Sequence, residues 1–205
     1  MKTVYDAGRL LDADLTKLER DLAVSGFGAL WARRACRPEE LLPGSAAAGT
    51  AATMLARRGR AELDAAGAVV GVHGLTLRAT RHRFLHRGQA RHTWCAFDSV
   101  GIPAALAIDA VARTDCPSCQ EPLTVVITEG VPERGRAVLW LPDPPTDDLM
   151  AQFCSCADLY CSTEHLRRRI DPAAIPGEIT DLDAAAELGR QAWADVVGLR
   201  LGPGS

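Results

Sequence analysis

Apolar positions near the N-terminal end of the chain recur at helical spacing. In the segment 14–31 the leucines fall on one face, which predicts an amphipathic helix. These residues are Leu15, Leu18, Leu22 and Leu30. A short helix is predicted over 37–42. A longer helix is predicted over 46–66, where alanine, leucine and arginine are frequent, and Gly67 is expected to end it.

The pattern then changes to short β-prone runs. The runs 68–72 and 75–80 are separated by His73 and Gly74, a typical turn pair. Helices followed by a small hairpin are the outline of a winged-helix module. We therefore predict a winged-helix-like helical module over residues 1–80.

The second half of the chain is predicted to be richer in strands. Apolar runs predict strands over 123–127 and 137–141, and a final amphipathic helix is predicted over 181–197. A helix is predicted to begin within 148–152, and the tail 201–205 is expected to fray. The fold class is α+β, with a mixed α/β, cysteine-bearing domain over residues 81–200.

Basic residues crowd the region around the predicted hairpin. They are Arg57, Arg58, Arg60, Arg78, Arg81, Arg83, Arg87 and Arg91. A DNA-binding module would place such residues on phosphates. Alternatively, they solvate a surface and the module only covers the rest of the protein. The net charge of −3 and a pI near 6.0 favour the second interpretation, so DNA binding is not expected.

Composition and charge narrow the class of protein further. With 205 residues, 47% of them hydrophobic and 24% charged, the chain has the composition of a globular domain. No apolar run approaches the roughly 18 residues of a membrane span. The first residues lack the order of a signal peptide, so a cytoplasmic location and no membrane partner are expected. Thiols there stay reduced, which disfavours disulfides.

Cysteine is the residue whose distribution is most informative. Six of the seven cysteines lie between Cys95 and Cys161, and only Cys36 precedes them. Such clustering indicates thiol chemistry, a metal or disulfides. An odd count leaves one cysteine unpaired.

Cys95 and Asp98 are three residues apart, within Trp94-Cys95-Ala96-Phe97-Asp98. If this segment is helical, the two side chains share a face. The carboxyl group can then accept a proton from the thiol, or deliver one to a group bound at sulfur. The flanking aromatic rings would lower the local dielectric and raise the pKa of Asp98. The alternative is a buried cysteine beside a helix-capping aspartate.

Cys116 and Cys119 form a C-x-x-C pair, which can be a redox pair or half of a zinc site. A redox pair usually follows a strand and begins a helix, whereas here a strand follows the pair. A zinc site needs a second half, which Cys154, Cys156 and Cys161 could supply, although the C-x-C-x4-C spacing is not a common one. Paired thiolates, including Cys154, would also suit a softer metal such as mercury.

The segment from about 92 to 193 resembles the bacterial organomercurial lyases, also called alkylmercury lyases. Several short motifs carry the resemblance by their order and spacing. They are WCAFD at 94–98, IPA at 102–104, Cys116 ahead of the strand 123–127, Phe153 with Cys154, and Ala192 with Trp193. Members of this family also begin with a winged-helix-like module, which the N-terminal part of the chain matches more loosely.

The resemblance implies an enzyme that cleaves carbon–mercury bonds by protonolysis with Cys95, Cys154 and Asp98. Cys95 and Cys154 would bind mercury, Asp98 would pass a thiol proton to the leaving carbon, and Cys116 would be structural. No cofactor is required for such a proton-for-metal exchange. The implied partners are a small organomercurial substrate, small thiols and a mercuric-ion acceptor protein.

The chain also departs from the family pattern, because Cys119, Cys156 and Cys161 are additional. With Cys116 they are the alternative zinc ligands. Cys156 and Cys161 lie close to Cys154 in the sequence, and they could trap the mercuric product, or bind zinc and leave Cys154 unavailable. Two other functions stay open for this reason. One is a diverged family member that uses a metal such as zinc for a different reaction. The other is a winged-helix protein that responds to a metal.

Overall fold

The N-terminal part of the chain is helical, as predicted. The computed structural model describes residues 15–143 and 147–197; the predicted helix start at Asp14 and the tail 201–205 lie outside these residues. The first helices are α1 (Lys17–Trp31), α2 (Pro38–Leu41) and α3 (Ala48–Arg57). At the start of α1, the Thr16 side chain accepts a hydrogen bond from the Glu19 amide, and the Glu19 carboxylate accepts one from the Thr16 amide.

The third helix ends earlier than the sequence predicts, at Arg57. Gly59 has φ +61, a conformation that favours glycine, and a Cβ there would lie 2.8 Å from the Met150 backbone nitrogen. The chain turns at this glycine, and Ala61–Leu63 forms a strand. The prediction of helix as far as residue 66 was therefore wrong, because local helix propensity did not reveal this close backbone approach.

The larger of two sheets is antiparallel and contains eight strands in the described part of the chain. Its strands are β1 (Ala61–Leu63), β2 (Val69–Val72), β3 (Leu75–Thr76), β4 (Arg83–His86), β5 (Gln89–Thr93), β6 (Ala110–Asp115), β7 (Pro122–Thr128) and β8 (Val131–Pro132). They are arranged in the order β1-β2-β3-β5-β4-β6-β7-β8. The sheet continues across residue 80, and the division of the chain at that residue stays a prediction.

The predicted hairpin is present. Strands β2 and β3 pair through Val72 and Leu75, and the two residues between them have positive φ angles, +49 for His73 and +81 for Gly74. Two such residues make the tight turn that matches strand twist. The winged-helix character of the N-terminal module stays a prediction.

The C-terminal part adds a second sheet and the remaining helices. The sheet has the order β10-β9-β11. Its strands are β9 (Val138–Pro142), β10 (Leu159–Tyr160) and β11 (Gly177–Thr180). The helical elements are α4 (Ala96–Ala105), a π-helical segment (Met150–Cys154), α5 (Thr163–Arg169), α6 (Leu182–Ala192) and a 3-10 turn (Ala194–Val196). The predicted final helix is thus present, and the predicted helix start at 148–152 coincides with the π-helical segment.

One apolar core joins the N-terminal helices to the rest of the molecule. It extends from Leu15 to Val196 and includes Phe27, Phe84 and Phe97. Helices α4 and α6 approach closely within it, since a Cβ on Gly101 would lie 3.1 Å from the Gly189 Cα. Among the described residues, none of the helices has the length and apolar character needed to cross a membrane.

Candidate active site

Cys95 and Asp98 lie together at the start of helix α4. Cys95 is the N-cap residue, and Asp98 is at the third helical position. The Cys95 amide donates to the Asp98 carboxylate at 2.9 Å, while the Asp98 amide donates to the Cys95 sulfur. This reciprocal arrangement is a capping box in which a thiol replaces the usual hydroxyl. The functional and the capping interpretations of this motif are therefore compatible.

Cys154 reaches the same place from the end of the π-helical segment. The chain after it is tied to the start of α4, because the Ala96 amide donates to the Ala157 carbonyl at 3.1 Å. Phe153 packs edge-on against Phe97, with ring centroids 5.9 Å apart. Such π-helical turns often occur at functional sites. Here the turn brings a cysteine that is distant in sequence to the capping box.

The three side chains form one compact, buried group. The Cys95 sulfur, a carboxylate oxygen of Asp98 and the Cys154 sulfur lie within 4.8 Å of one another. Their exposed fractions are 0% for Cys95, 4% for Asp98 and 8% for Cys154. All three side chains are therefore buried, and Cys154 is the most exposed of them.

Burial controls the protonation of Asp98. Desolvation raises its pKa from 3.8 to about 7, although hydrogen bonds from the Cys95 thiol and the backbone amides of Cys95 and Trp94 act in the opposite direction. At neutral pH the carboxyl group is thus close to its pKa. A group in this condition can both accept and return a proton.

The two thiols differ in how readily they ionise. Burial, and then a hydrogen bond to Cys154, raise the pKa of Cys95 well above its usual value. At Cys154 the hydrogen bond from Cys95 lowers the pKa, but burial and the carboxylates of Asp98 and Asp148 outweigh it, so the pKa is raised overall. Cys154 combines the greater exposure with a stabilising hydrogen bond.

The turn at His73 and Gly74 closes the group from one side. A Cβ added to Gly74 would lie 2.8 Å from the Asp98 carboxyl carbon. The Gly74 carbonyl accepts from the Trp94 amide at 3.0 Å, and the His73 carbonyl accepts from the Trp193 indole at 2.8 Å. Sequence reasoning identified the turn but not its contact with Asp98. Gly74 directly precedes β3, and β3 pairs with β5, the strand that leads to the cysteine motif, so the contact depends on strand pairing.

Comparison with known proteins gives the family. A family model described as alkylmercury lyase matches residues 75–194, which include Cys95, Asp98 and Cys154. The chain belongs to the alkylmercury lyase family. The resemblance in the cysteine motifs is thereby confirmed at the level of the family.

Individual alkylmercury lyases and a solved structure agree with this assignment. The chain is 32% identical to one from Pseudomonas putida over 116 residues, 54% of this chain and 54% of the relative. It is 30% identical to one from Bacillus cereus over 135 residues, 63% of this chain and 60% of the relative. The chain thus spans between half and two thirds of these relatives. A crystal structure of the mercury-bound form of MerB2 has the same fold, with a TM-score of 0.81 at 20% identity, covering 93% of this chain and 97% of that one.

Two of the cysteines that depart from the lyase pattern, Cys119 and Cys161, form a second group with Cys116. The sulfurs of Cys116, Cys119 and Cys161 lie within 4.8 Å of one another and of a ring nitrogen of His165. Cys156 is not a member of this group. Sequence reasoning missed His165. Its signal was the short Cys161-x-x-x-His165 spacing, in which His165 lies in the first turn of the helix that follows Cys161.

Asp98→Asn is expected to gain stability relative to the wild-type protein as the pH rises. The folded-state pKa of Asp98, about 7, lies above its ordinary value of 3.8, so the folded protein binds more protons than the unfolded chain between these values. Wild-type stability is therefore lost as the pH rises through this range, and the variant lacks that loss. The change should amount to about 2 kcal/mol between about pH 5 and pH 8. Urea unfolding of both proteins measures it, and parallel pH profiles would contradict the assigned pKa.

Proposed function

We propose that this family member is an enzyme that cleaves the carbon–mercury bond of small organomercurials by protonolysis. The observation that carries the proposal is the buried thiol–carboxyl–thiol group of Cys95, Asp98 and Cys154. Two thiols suit a soft metal, and a carboxyl group with a pKa near neutrality suits proton transfer. The proposed location is the cytoplasm, where small thiols stay reduced.

Capture of the substrate is assigned to Cys154. It is the most exposed member of the group. Its sulfur attacks mercury in a thiol-bound organomercurial, a new sulfur–mercury bond forms, and the small thiol leaves with the Cys154 proton. The organic group remains on mercury, within the site.

Proton transfer follows through Cys95 and Asp98. The Cys95 thiol is hydrogen-bonded to Asp98 and gives its proton to the carboxylate as its sulfur joins mercury. The second thiolate increases electron density on mercury and weakens the carbon–mercury bond. Asp98 then protonates the carbon, and the hydrocarbon leaves. Mercuric ion remains between the two sulfurs, and Asp98 is again a carboxylate.

Release of mercury needs two external thiols. They displace Cys95 and Cys154 from the mercuric ion and return a proton to each cysteine. The net reaction consumes one organomercurial thiolate and one further thiol, and gives a hydrocarbon and a mercuric dithiolate. Small thiols, or a thiol-bearing acceptor protein, take the product. No redox cofactor enters this balance.

The N-terminal module covers the site in this proposal and does not bind DNA. Several arginines within this module and directly after it have partners within the molecule. Arg58 pairs with Glu19, Arg78 with Glu62 and Arg81 with Asp158. Arg91 is buried and stacks on the Trp31 ring at 4.2 Å. Arginines that already have partners within the protein favour a module that covers the site over one that binds DNA. A winged-helix-like outline is compatible with this role.

A metal-responsive binding protein is the competing function. Such a protein needs thiolates to hold a metal, and it gains nothing from a carboxyl group held at a pKa near 7 beside them. The presence of Asp98 in the buried group therefore favours bond cleavage. Of the additional cysteines, Cys119 and Cys161 lie in the second group and Cys156 lies in neither, so none of them belongs to the group of Cys95, Asp98 and Cys154.

Turnover of an arylmercury salt tests the proposed function. With a small thiol in excess, we expect release of the arene and formation of mercuric dithiolate, measured by gas chromatography and by mercury analysis. The matched control is protein in which both Cys95 and Cys154 are replaced by alanine. Equal arene release by the control and the wild-type protein would refute the proposal.

Gly74→Ala is expected to impair turnover by displacing Asp98. The new methyl group would lie 2.8 Å from the Asp98 carboxyl carbon, and a misplaced proton donor lowers the rate by roughly tenfold or more. Gly67→Ala is the matched control, because Gly67 also has a positive φ, +77, but nothing lies within 4 Å of its Cβ position. Both variants carry a similar backbone strain. Equal turnover in the two variants would show that the Gly74 contact does not position Asp98.

A further inference from the structure

The second cysteine group has the composition of a closed metal site. Cys116 and Cys119 lie between β6 and β7, Cys161 follows β10, and His165 is in α5. The ligand atoms of these four residues lie within 4.8 Å of one another. The Ser118 hydroxyl donates to the His165 carbonyl at 2.6 Å, which fixes α5 against the 116–119 turn. Two half-sites that are distant in sequence therefore converge on one point.

The distances between the ligand atoms match those around a tetrahedral zinc ion. With zinc–sulfur bonds of about 2.3 Å and zinc–nitrogen bonds of about 2.0 Å, ligand atoms are roughly 3.8 Å apart for two sulfurs and roughly 3.5 Å apart for sulfur and nitrogen. The Cys119 and Cys161 sulfurs are 3.8 Å apart. The His165 Nδ1 is 3.9 Å from the Cys116 sulfur and 2.9 Å from the Cys161 sulfur. Of these three distances, the first matches zinc coordination, the second is slightly longer and the third is shorter than it requires.

The surroundings of Cys116 are those of a thiolate ligand. Its sulfur is fully buried and accepts hydrogen bonds from the backbone amides of Ser118, Cys119 and Cys161. Amide groups directed at a sulfur stabilise negative charge there, as they do for metal-bound thiolates. The separation of the Cys119 and Cys161 sulfurs also exceeds the roughly 2.0 Å of a disulfide, so these cysteines are free thiols.

We infer that Cys116, Cys119, Cys161 and His165 hold a structural zinc ion. Three thiolates and one imidazole in a tetrahedral arrangement suit zinc, and four protein ligands leave no position for a substrate. The Cys95 and Cys154 pair differs in having only two sulfurs and a carboxyl group, which leaves room for an organomercurial. The zinc site does not depend on the proposed lyase activity.

The zinc ion would reinforce a small part of the fold. Beside it lies a separate apolar cluster formed by Cys116, Trp140, Tyr160, Leu166 and Ile170. So small a core supplies little stability by itself, and metals commonly compensate for this in small structural units. The ion would tie the β6–β7 connection to β10 and α5, and so fix the chain that follows Cys154.

Metal analysis of the full-length chain tests the inference. Protein produced with zinc and a reducing agent should contain about one zinc ion per chain. Cys119→Ser and His165→Gln should each lose most of it. Cys156→Ser is the matched control, because Cys156 packs against the same apolar cluster but is outside the ligand group. It should retain zinc, as should Cys95→Ala, whose zinc content is independent of any lyase activity.

Two further measurements keep the test decisive if a variant folds poorly. Cobalt added to metal-free wild-type protein should give the intense visible absorption of a tetrahedral thiolate complex. Chelation should lower the melting temperature of wild type and of Cys156→Ser by roughly 5 °C or more. The inference is overturned if wild type binds neither zinc nor cobalt, or if Cys156→Ser loses as much zinc as Cys119→Ser. It is also overturned if the protein purified without a reducing agent contains a Cys119–Cys161 disulfide that reduction removes.

Discussion

Cys95→Ala and Cys154→Ala are each expected to lose nearly all release of arene from an arylmercury salt. A single remaining thiolate can hold mercury, but it cannot at the same time activate the carbon–mercury bond. Groups that act as a unit show losses of roughly a thousandfold or more when one is removed. Initial rates of arene formation with excess thiol measure the loss.

Cys156→Ser is the matched control for this pair of variants. It changes a cysteine two residues from Cys154 that lies outside the buried group, and it should turn over substrate at close to the wild-type rate. Wild-type rates in Cys154→Ala would show that the second thiolate has been wrongly assigned. Loss of turnover in Cys156→Ser as well would indicate a general effect on the fold.

Asp98→Asn is expected to separate mercury binding from bond cleavage. Asparagine can still accept the hydrogen bond from the Cys95 amide, so the start of α4 is preserved. Mercury affinity comes from the two sulfurs and should be retained. Release of the hydrocarbon should fall by roughly a hundredfold or more, the usual effect of losing a general acid.

Two measurements on the same sample distinguish these steps. Mass spectrometry detects the organomercurial adduct on the protein, and gas chromatography detects the arene. Asp158→Asn is a suitable control, because Asp158 is also buried but pairs with Arg81 and is outside the group. Equal arene release by Asp98→Asn and wild type would refute the proton transfer through Asp98, although the family assignment would stand.

The sequence predicted the elements whose pattern is local. The leucines of α1, the turn at His73 and Gly74, the strands β7 and β9, and helix α6 were all indicated by periodicity or turn residues. Strands β4 and β5 were not, because their buried positions include His86 and Arg91, which a hydrophobic pattern reads as surface. Arg91 is buried because it stacks on Trp31, a partner 60 residues earlier in the chain. The periodicity of the local sequence does not reveal contacts between such distant residues.

The residues of the candidate site also differ in whether the local sequence could identify them. Cys95 and Asp98 could be paired from their spacing alone, and the effect of burial on Asp98 could be anticipated from the adjacent aromatic rings. Cys154 came from the family resemblance, because its approach depends on a π-helical turn and a backbone link to α4. The contact of Gly74 with Asp98 and the convergence of His165 on the cysteines depend on tertiary packing, which spacing does not encode.

The most direct test of the account is the origin of the hydrogen in the released hydrocarbon. Wild-type protein is incubated with a phenylmercury salt and excess thiol in deuterium oxide, and the benzene is analysed by mass spectrometry. We expect singly deuterated benzene, formed in proportion to the enzyme present and nearly absent with Asp98→Asn, together with an equal amount of mercuric dithiolate. Tight mercury binding without release of benzene, or enzyme-dependent benzene that carries no deuterium, would contradict it.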